Sequence, residues 1–206
     1  MQQHPGFTVY DFETTGFANT DRVIEMAFIN VSKTGEVEDS WSTLINPHRN
    51  PGMTEIHGIS ADMLVNAPTF GQVLPRIIAT VRGRVLAAHN ASFDGRFMAN
   101  EMRRLSHAIE RPPALCTQKF GNRALGVKKL AECCQVAGIV LDDAHEALAD
   151  TAATSHLLLH IRGIVGQQPD WRDTFSLSRD FVWPQVHGDV AHPLLNRSDL
   201  GLATHQ

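Results

Sequence analysis

A short antiparallel run of strands, followed by a chain that alternates helix and strand, is the feature that most restricts the fold. Residues 7–10 (Phe-Thr-Val-Tyr) and 23–31 (Val-Ile-Glu-Met-Ala-Phe-Ile-Asn-Val) are rich in β-branched and aromatic side chains, and Lys33-Thr34-Gly35 predicts a turn into a third strand near 40–45. After Asn46-Pro47 the spacing predicts helices over 60–66 and 70–82, then a short apolar strand over 84–89. Further helices are predicted over 92–106, 127–137 and 144–165, the last opening at Asp143 with Glu146 three residues on, a capping-box pattern. Strands first and alternation afterwards predict an α/β layered domain.

Beyond residue 166 the periodicity lapses among Pro169, Pro184 and Pro193, with no convincing helix or strand. The reading is therefore a domain over 1–165 and a tail over 166–206. Trp171, Phe175, Phe181 and Trp183 make the tail too aromatic for a solvated linker. It is expected to pack on the domain, to dock a partner such as a polymerase or clamp, or to stay partly disordered.

With 43% hydrophobic and 19% charged residues in 206, the chain has material for one sizeable core. No apolar run approaches the roughly 18 residues of a membrane span, and Met1-Gln-Gln-His-Pro-Gly does not read as a signal peptide. A soluble cytoplasmic protein with no membrane partner is the expectation. Cys116, Cys133 and Cys134 have neither disulfide-scaffold nor zinc-ligand spacing, and Cys116 reads as a small core thiol. The net charge of −4 gives no global footprint for nucleic acid, yet residues 96–129 carry +6, leaving −10 for the remainder. Such asymmetry fits a basic rim beside an acidic centre; it also fits ordinary solvated helix faces.

Three short segments carry residue types suited to chemistry. In Asp11-Phe12-Glu13-Thr14-Thr15-Gly16-Phe17, at the end of the first strand, Asp11 and Glu13 alternate onto one face. Two such anions repel unless a hard cation with oxygen preference lies between them. In His89-Asn90-Ala91-Ser92-Phe93-Asp94 a third carboxylate stands at a strand end and helix start, where ligands gather. In His145-Glu146-Ala147-Leu148-Ala149-Asp150 a histidine able to take a proton near neutral pH precedes a fourth carboxylate. Singly, each is as readily a solvated or capping charge. Together, four acids and a histidine fall in order at element boundaries.

These three segments resemble the three exonuclease motifs of the DEDD superfamily, histidine subtype, and Ile56-His57-Gly58-Ile59 is similar to a further segment of that family. The likeness covers residues 7–163. The family includes the epsilon proofreading subunit of bacterial DNA polymerase III, oligoribonuclease and ribonuclease T. The resemblance implies a ribonuclease H-like three-layer α/β fold, a central mixed β-sheet flanked by helices. It implies a 3'-5' exonuclease in which Asp11, Glu13, Asp94 and Asp150 hold two Mg²⁺ or Mn²⁺ ions and His145 is the general base. Thr14, Thr15, Gly16 and Phe17 are implied to bind the terminal nucleotide, with His57, Asn90 and Phe93 also lining the site. The nearby Arg and Lys residues would hold upstream phosphates. Thr14 in Asp-Phe-Glu-Thr-Thr-Gly tilts the substrate towards DNA 3' ends, in proofreading or repair; the alternatives are an RNA exonuclease of the oligoribonuclease or ribonuclease T kind and, remotely, a non-catalytic binding or polymerase-docking module. Phe17 stands where the family more usually has Leu, and Leu115-Cys116-Thr117 where many members have Asp-Thr-Leu.

Overall fold

The computed structural model describes residues 6–141 and 146–200. Strands β1 (Phe7–Thr14), β2 (Val23–Val31) and β3 (Val37–Leu44) form an antiparallel meander. Strands β4 (Val85–Ala88) and β5 (Leu115–Cys116) extend the sheet on the other side of β1, parallel to it, in the order β3-β2-β1-β4-β5. The helices are α1 (Thr54–His57), α2 (Ala61–Leu64), α3 (Phe70–Val81), α4 (Ala91–Arg104), α5 (Thr117–Leu125), α6 (Leu130–Ala137), α7 (Ala147–Val165) and α8 (Pro169–Arg179). The α/β class and the mixed sheet flanked by helices are as expected from the sequence.

Two faces of the sheet are buried against different helices, and the alternation of β1 assigns its side chains between them. Tyr10 and Phe12 join α3 and α4 through Phe70, Val73, Ile77, Phe97 and Met98. Phe7 and Val9 join Leu157, Leu158 and Ile161 of α7 on the opposite face. Covered on both sides, β2 is buried along its whole length, which is why it reads as a nearly unbroken apolar run. The same alternation places Asp11 and Glu13 on the α7 side of β1.

Three local readings are corrected. Residues 117–125 form a helix, α5, not anticipated from the sequence; it caps itself with Gly126 in the left-handed region (φ 78°). The proline at position 169 starts a helix rather than preventing one, because the first turn of a helix needs no N–H from that residue. Helix α7 begins at Ala147 with Glu146 as its N-cap, so Glu146 is not the third residue of a capping box; Asp143 lies outside the described residues.

The C-terminal segment crosses both faces. Trp171 and Phe175 pack with α7, whereas Trp183 is buried against the α3 and α4 cluster. Lys119 and Arg123 of α5 pair with Asp170 of α8 at 2.9 and 2.7 Å. Among the described residues no helix is long and apolar enough to cross a membrane, and Cys116, Cys133 and Cys134 are all free.

One buried ion pair ties α4 to the start of β2. Glu101 accepts from Arg22 Nε at 2.7 Å and Nη2 at 3.0 Å, and from the Val23 N–H at 3.2 Å. With Glu101 1% exposed, removing it leaves that N–H without its carboxylate and Arg22 with the Pro47 carbonyl but no anion. Glu101→Ala is expected to cost on the order of 3 kcal/mol, a fall of roughly 6–12 °C in Tm read by thermal denaturation. An unchanged Tm would show that the pair contributes nothing net.

Candidate active site

The site forms where β1 ends beside α4 and α7. Asp11, Glu13 and Asp150 each offer a carboxylate oxygen within 4.8 Å of one another. Two come from the α7-facing side of β1 and the third from the first turn of α7. The register with β2 shifts directly after Glu13: Glu13 pairs with Glu25 and Thr14 with Val23, so Ile24 of β2 is the extra residue and the regular ladder is interrupted where the carboxylates end. Asp94, in the first turn of α4 and 2% exposed, lies outside that group of three. Its Oδ1 accepts the Phe12 N–H at 3.2 Å, so it meets β1 between the two strand carboxylates.

Crowding four acids at the edge of a core raises the cost of ionising them. Burial, then the charges of Asp94 and Glu13, hold the Asp11 carboxyl well above the usual range. Burial and the charge of Glu25 push Glu13 up to about 8, against a lowering by Arg197. Burial pushes Asp94 up to about 7 despite the hydrogen bond from Phe12. A protein that keeps acids where they are disfavoured has a reason outside its stability. The donors are hard oxygens in excess negative charge, the set that suits a divalent cation such as Mg²⁺.

Beside the carboxylates, the loop after β1 is shaped from within. Thr14 Oγ1 donates to the Gly16 carbonyl at 2.8 Å, and Thr15 Oγ1 to Asp21 Oδ1 at 3.1 Å. Asp21 approaches so closely that a Cβ on Gly16 would lie 2.5 Å from its Oδ2, which is why a side chain is excluded there. The two threonine hydroxyls are thus engaged in the loop itself. Phe17 projects from it, 66% exposed, its ring 6.1 Å from that of Phe93. Arg96 sits over Phe93 and donates to the Phe17 carbonyl at 3.0 Å and Asn19 Oδ1 at 2.8 Å; Arg104 donates to the Asn19 and Asp21 carbonyls. Part of the basic stretch therefore staples this loop, and Lys119 and Arg123 dock α8, rather than forming an open phosphate track.

The remaining expected residues divide. Asn90 is the exposed N-cap position of α4. His57 is buried at the end of α1, where its Nδ1 accepts from the Ile59 N–H at 3.0 Å and burial lowers its pKa. His145 lies outside the described residues. Sequence reasoning missed Glu25 and Arg197. Glu25 pairs in register with Glu13, is 3% exposed, and is held by both Nε and Nη2 of Arg197 at 2.8 and 2.7 Å. A charge inside an apolar strand run was the available signal for Glu25, because such groups are buried only when paired. Nothing local marks Arg197.

Comparisons with known proteins bear on the family and the fold. The exonuclease family pattern matches residues 8–158. The chain is 32% identical over 165 residues to the DNA polymerase III subunit epsilon of Treponema pallidum, covering 76% of each. It is 30% identical over 181 residues to the PolC-type DNA polymerase III of Clostridium perfringens, covering 85% of this chain but 12% of that one. The chain thus spans a small part of such polymerases. In fold it is similar to exonuclease X in complex with 5' overhanging duplex DNA, with TM-score 0.64 and 22% identity over 84% of this chain and 99% of that one. It is likewise similar to E. coli exonuclease I in complex with a dT13 oligonucleotide, with TM-score 0.64 and 19% identity over 82% of this chain and 43% of that one.

Proposed function

This chain belongs to the exonuclease family, and from that premise we propose that it is a metal-dependent 3'-5' exonuclease of the histidine DEDD subtype, releasing nucleoside 5'-monophosphates from DNA 3' ends in proofreading or repair. The observation that carries the reading is the meeting of Asp11, Glu13 and Asp150 within 4.8 Å at the end of β1. Asp94 completes the acidic set from α4. These four would hold two divalent ions, Mg²⁺ or Mn²⁺, which supply Lewis acidity and an activated water when bound.

The chain's own residues account for the rest. His145 accepts the proton of the attacking water, a task suited to a side chain whose ordinary pKa is about 6.5. Phe17, exposed and backed by Phe93, offers an aromatic face to the 3'-terminal base. The loop fixed by Asp21, Arg96 and Arg104 keeps that face beside the carboxylates, so that the last phosphodiester reaches them. Phe17→Ala is expected to weaken capture of the end, raising KM by about 5- to 30-fold at about 1–2 kcal/mol per stacked base, while single-turnover cleavage at saturation changes less.

The deciding assay follows 5'-labelled single-stranded DNA, the same DNA with a mispaired 3' end, and short RNA, in Mg²⁺ or EDTA. Stepwise shortening of DNA from its 3' end, absent in EDTA and in His145→Ala, is the expected result. Faster loss of short RNA would transfer the reading to an RNA exonuclease. No shortening of any substrate by folded protein in Mg²⁺ or Mn²⁺ would leave a binding module.

A further inference from the structure

The C-terminal segment brings Arg197 onto Glu25, the residue opposite Glu13, across 172 positions of sequence. Its course is fixed at successive points. Phe181 packs edge-to-face on Trp183 at 4.9 Å, and Arg82 Nη2 donates to the Pro184 carbonyl at 3.2 Å. The segment then covers the C-terminal end of the edge strand β3, where the Leu44 N–H donates to the Leu195 carbonyl at 2.8 Å and the Leu195 N–H to Thr43 Oγ1 at 3.1 Å. Ser42 Oγ donates to Asn196 Oδ1 at 3.2 Å, and the next residue is Arg197.

Arg197 meets a carboxylate that packing alone does not explain. Glu25 is 3% exposed and stands opposite Glu13, where another negative charge is unwelcome. Both of its oxygens accept from the Arg197 guanidinium, a two-pronged pairing that fixes direction as well as charge. Its Oε2 also accepts the Ala147 N–H at 3.3 Å. That N–H opens the 19-residue helix α7 and has no partner within the helix, and an anion there complements the helix dipole. Asp150 lies in the same turn, three residues on, its N–H bonded to the Glu146 carbonyl at 3.0 Å.

We propose that segment 181–200 is a working part of the active site: Arg197 is a positioning residue that orients Glu25, and Glu25 in turn fixes the first turn of α7 and so sets Asp150 against Asp11 and Glu13. The proposal rests on reading those carboxylates as the metal-holding set, and it gives the tail a role in catalysis through geometry rather than through partner docking. Groups that orient ligands are typically worth 10- to 100-fold in metal affinity or activity.

The test uses the full chain and two readouts: Mn²⁺ binding followed by its electron paramagnetic resonance, and kcat and KM on 5'-labelled single-stranded DNA. Arg197→Met is expected to weaken Mn²⁺ binding and to lower kcat, each by about 10- to 100-fold, with KM unchanged. Arg197→Lys, which keeps charge but not the two-pronged geometry, recovers part of both. Adding Glu25→Gln to Arg197→Met costs little more than Arg197→Met alone, because the two residues act in one network. If Arg197→Met does not fold, Arg197→Lys and Glu25→Gln carry the comparison. A lowered Tm with wild-type Mn²⁺ affinity and kcat would make the segment a structural strap only and overturn the proposal. Wild-type protein that binds Mn²⁺ but shortens no nucleic acid would overturn the nuclease reading while the Mn²⁺ measurements still decide the role of Arg197. Wild-type protein that binds no Mn²⁺ would overturn both.

Discussion

Asp11→Asn is expected to abolish cleavage and to raise the thermal stability of the metal-free protein in the same step. The carboxyl of Asp11 is half-buried near Asp94, Glu13, Asp150 and Glu25, each of which disfavours its ionised form. Asparagine has nearly the same shape and no charge, so the packing of β1 survives while the repulsion falls. The lost ligand removes several kcal/mol of transition-state stabilisation, a drop of at least about 10³-fold in single-turnover rate. In EDTA near pH 8, relief of one buried charge is worth on the order of 1–2 kcal/mol, a rise of roughly 2–8 °C in Tm. Activity near wild type would remove Asp11 from the metal-holding set. A lower Tm in EDTA would show that the acidic cluster carries no strain.

The metal-free protein is expected to lose stability as pH rises, opposite to the usual behaviour of carboxylates paired with cations. Glu13 is pushed up to about 8 and Asp94 up to about 7, against ordinary values near 4. Between those limits the folded state binds more protons than the unfolded one, so the favourable contribution is complete below about pH 4 and is lost as pH passes through 7 and 8. The carboxylates titrate as a coupled set, so the loss is gradual. Melting in EDTA is expected to fall by about 5–10 °C between pH 5 and pH 8.5, and saturating Mg²⁺ to recover most of it at the upper end. A flat profile in EDTA would mean that the acids are neutralised by the protein itself. With Asp11→Asn the slope is expected to be shallower, which links the two experiments.

Much of the site was legible because its signals are local. Asp11 and Glu13 share a strand face by alternation, and Asp94 and Asp150 sit in the first turns of helices, where the sequence put acids at element boundaries. Asp94 was a candidate from sequence, but its placement was not legible there. Its carboxylate is spent partly on the Phe12 N–H, a contact between residues 82 positions apart that no spacing reveals. The basic stretch was legible as charge but not in its contacts, since Arg96 and Arg104 hold a loop and Lys119 and Arg123 a helix in place. Charge counts locate cations without saying which anions or carbonyls they will meet.

The tail shows the same division. Its aromatic content marked it as more than a linker, yet α8 was missed because a proline at the first helical position resembles a breaker until the helix is seen to start there. From sequence alone came the layered α/β class, the strand faces and the four candidate acids, read from periodicities of two and 3.6 residues and from residue chemistry. Tertiary structure alone decided that Glu25 opposes Glu13, that Arg197 arrives 172 positions later to hold it, and that Asp150 joins the two strand carboxylates. The reason is that a buried charge is tolerated only with a partner, and the partner is chosen by the path of the folded chain, not by distance along it.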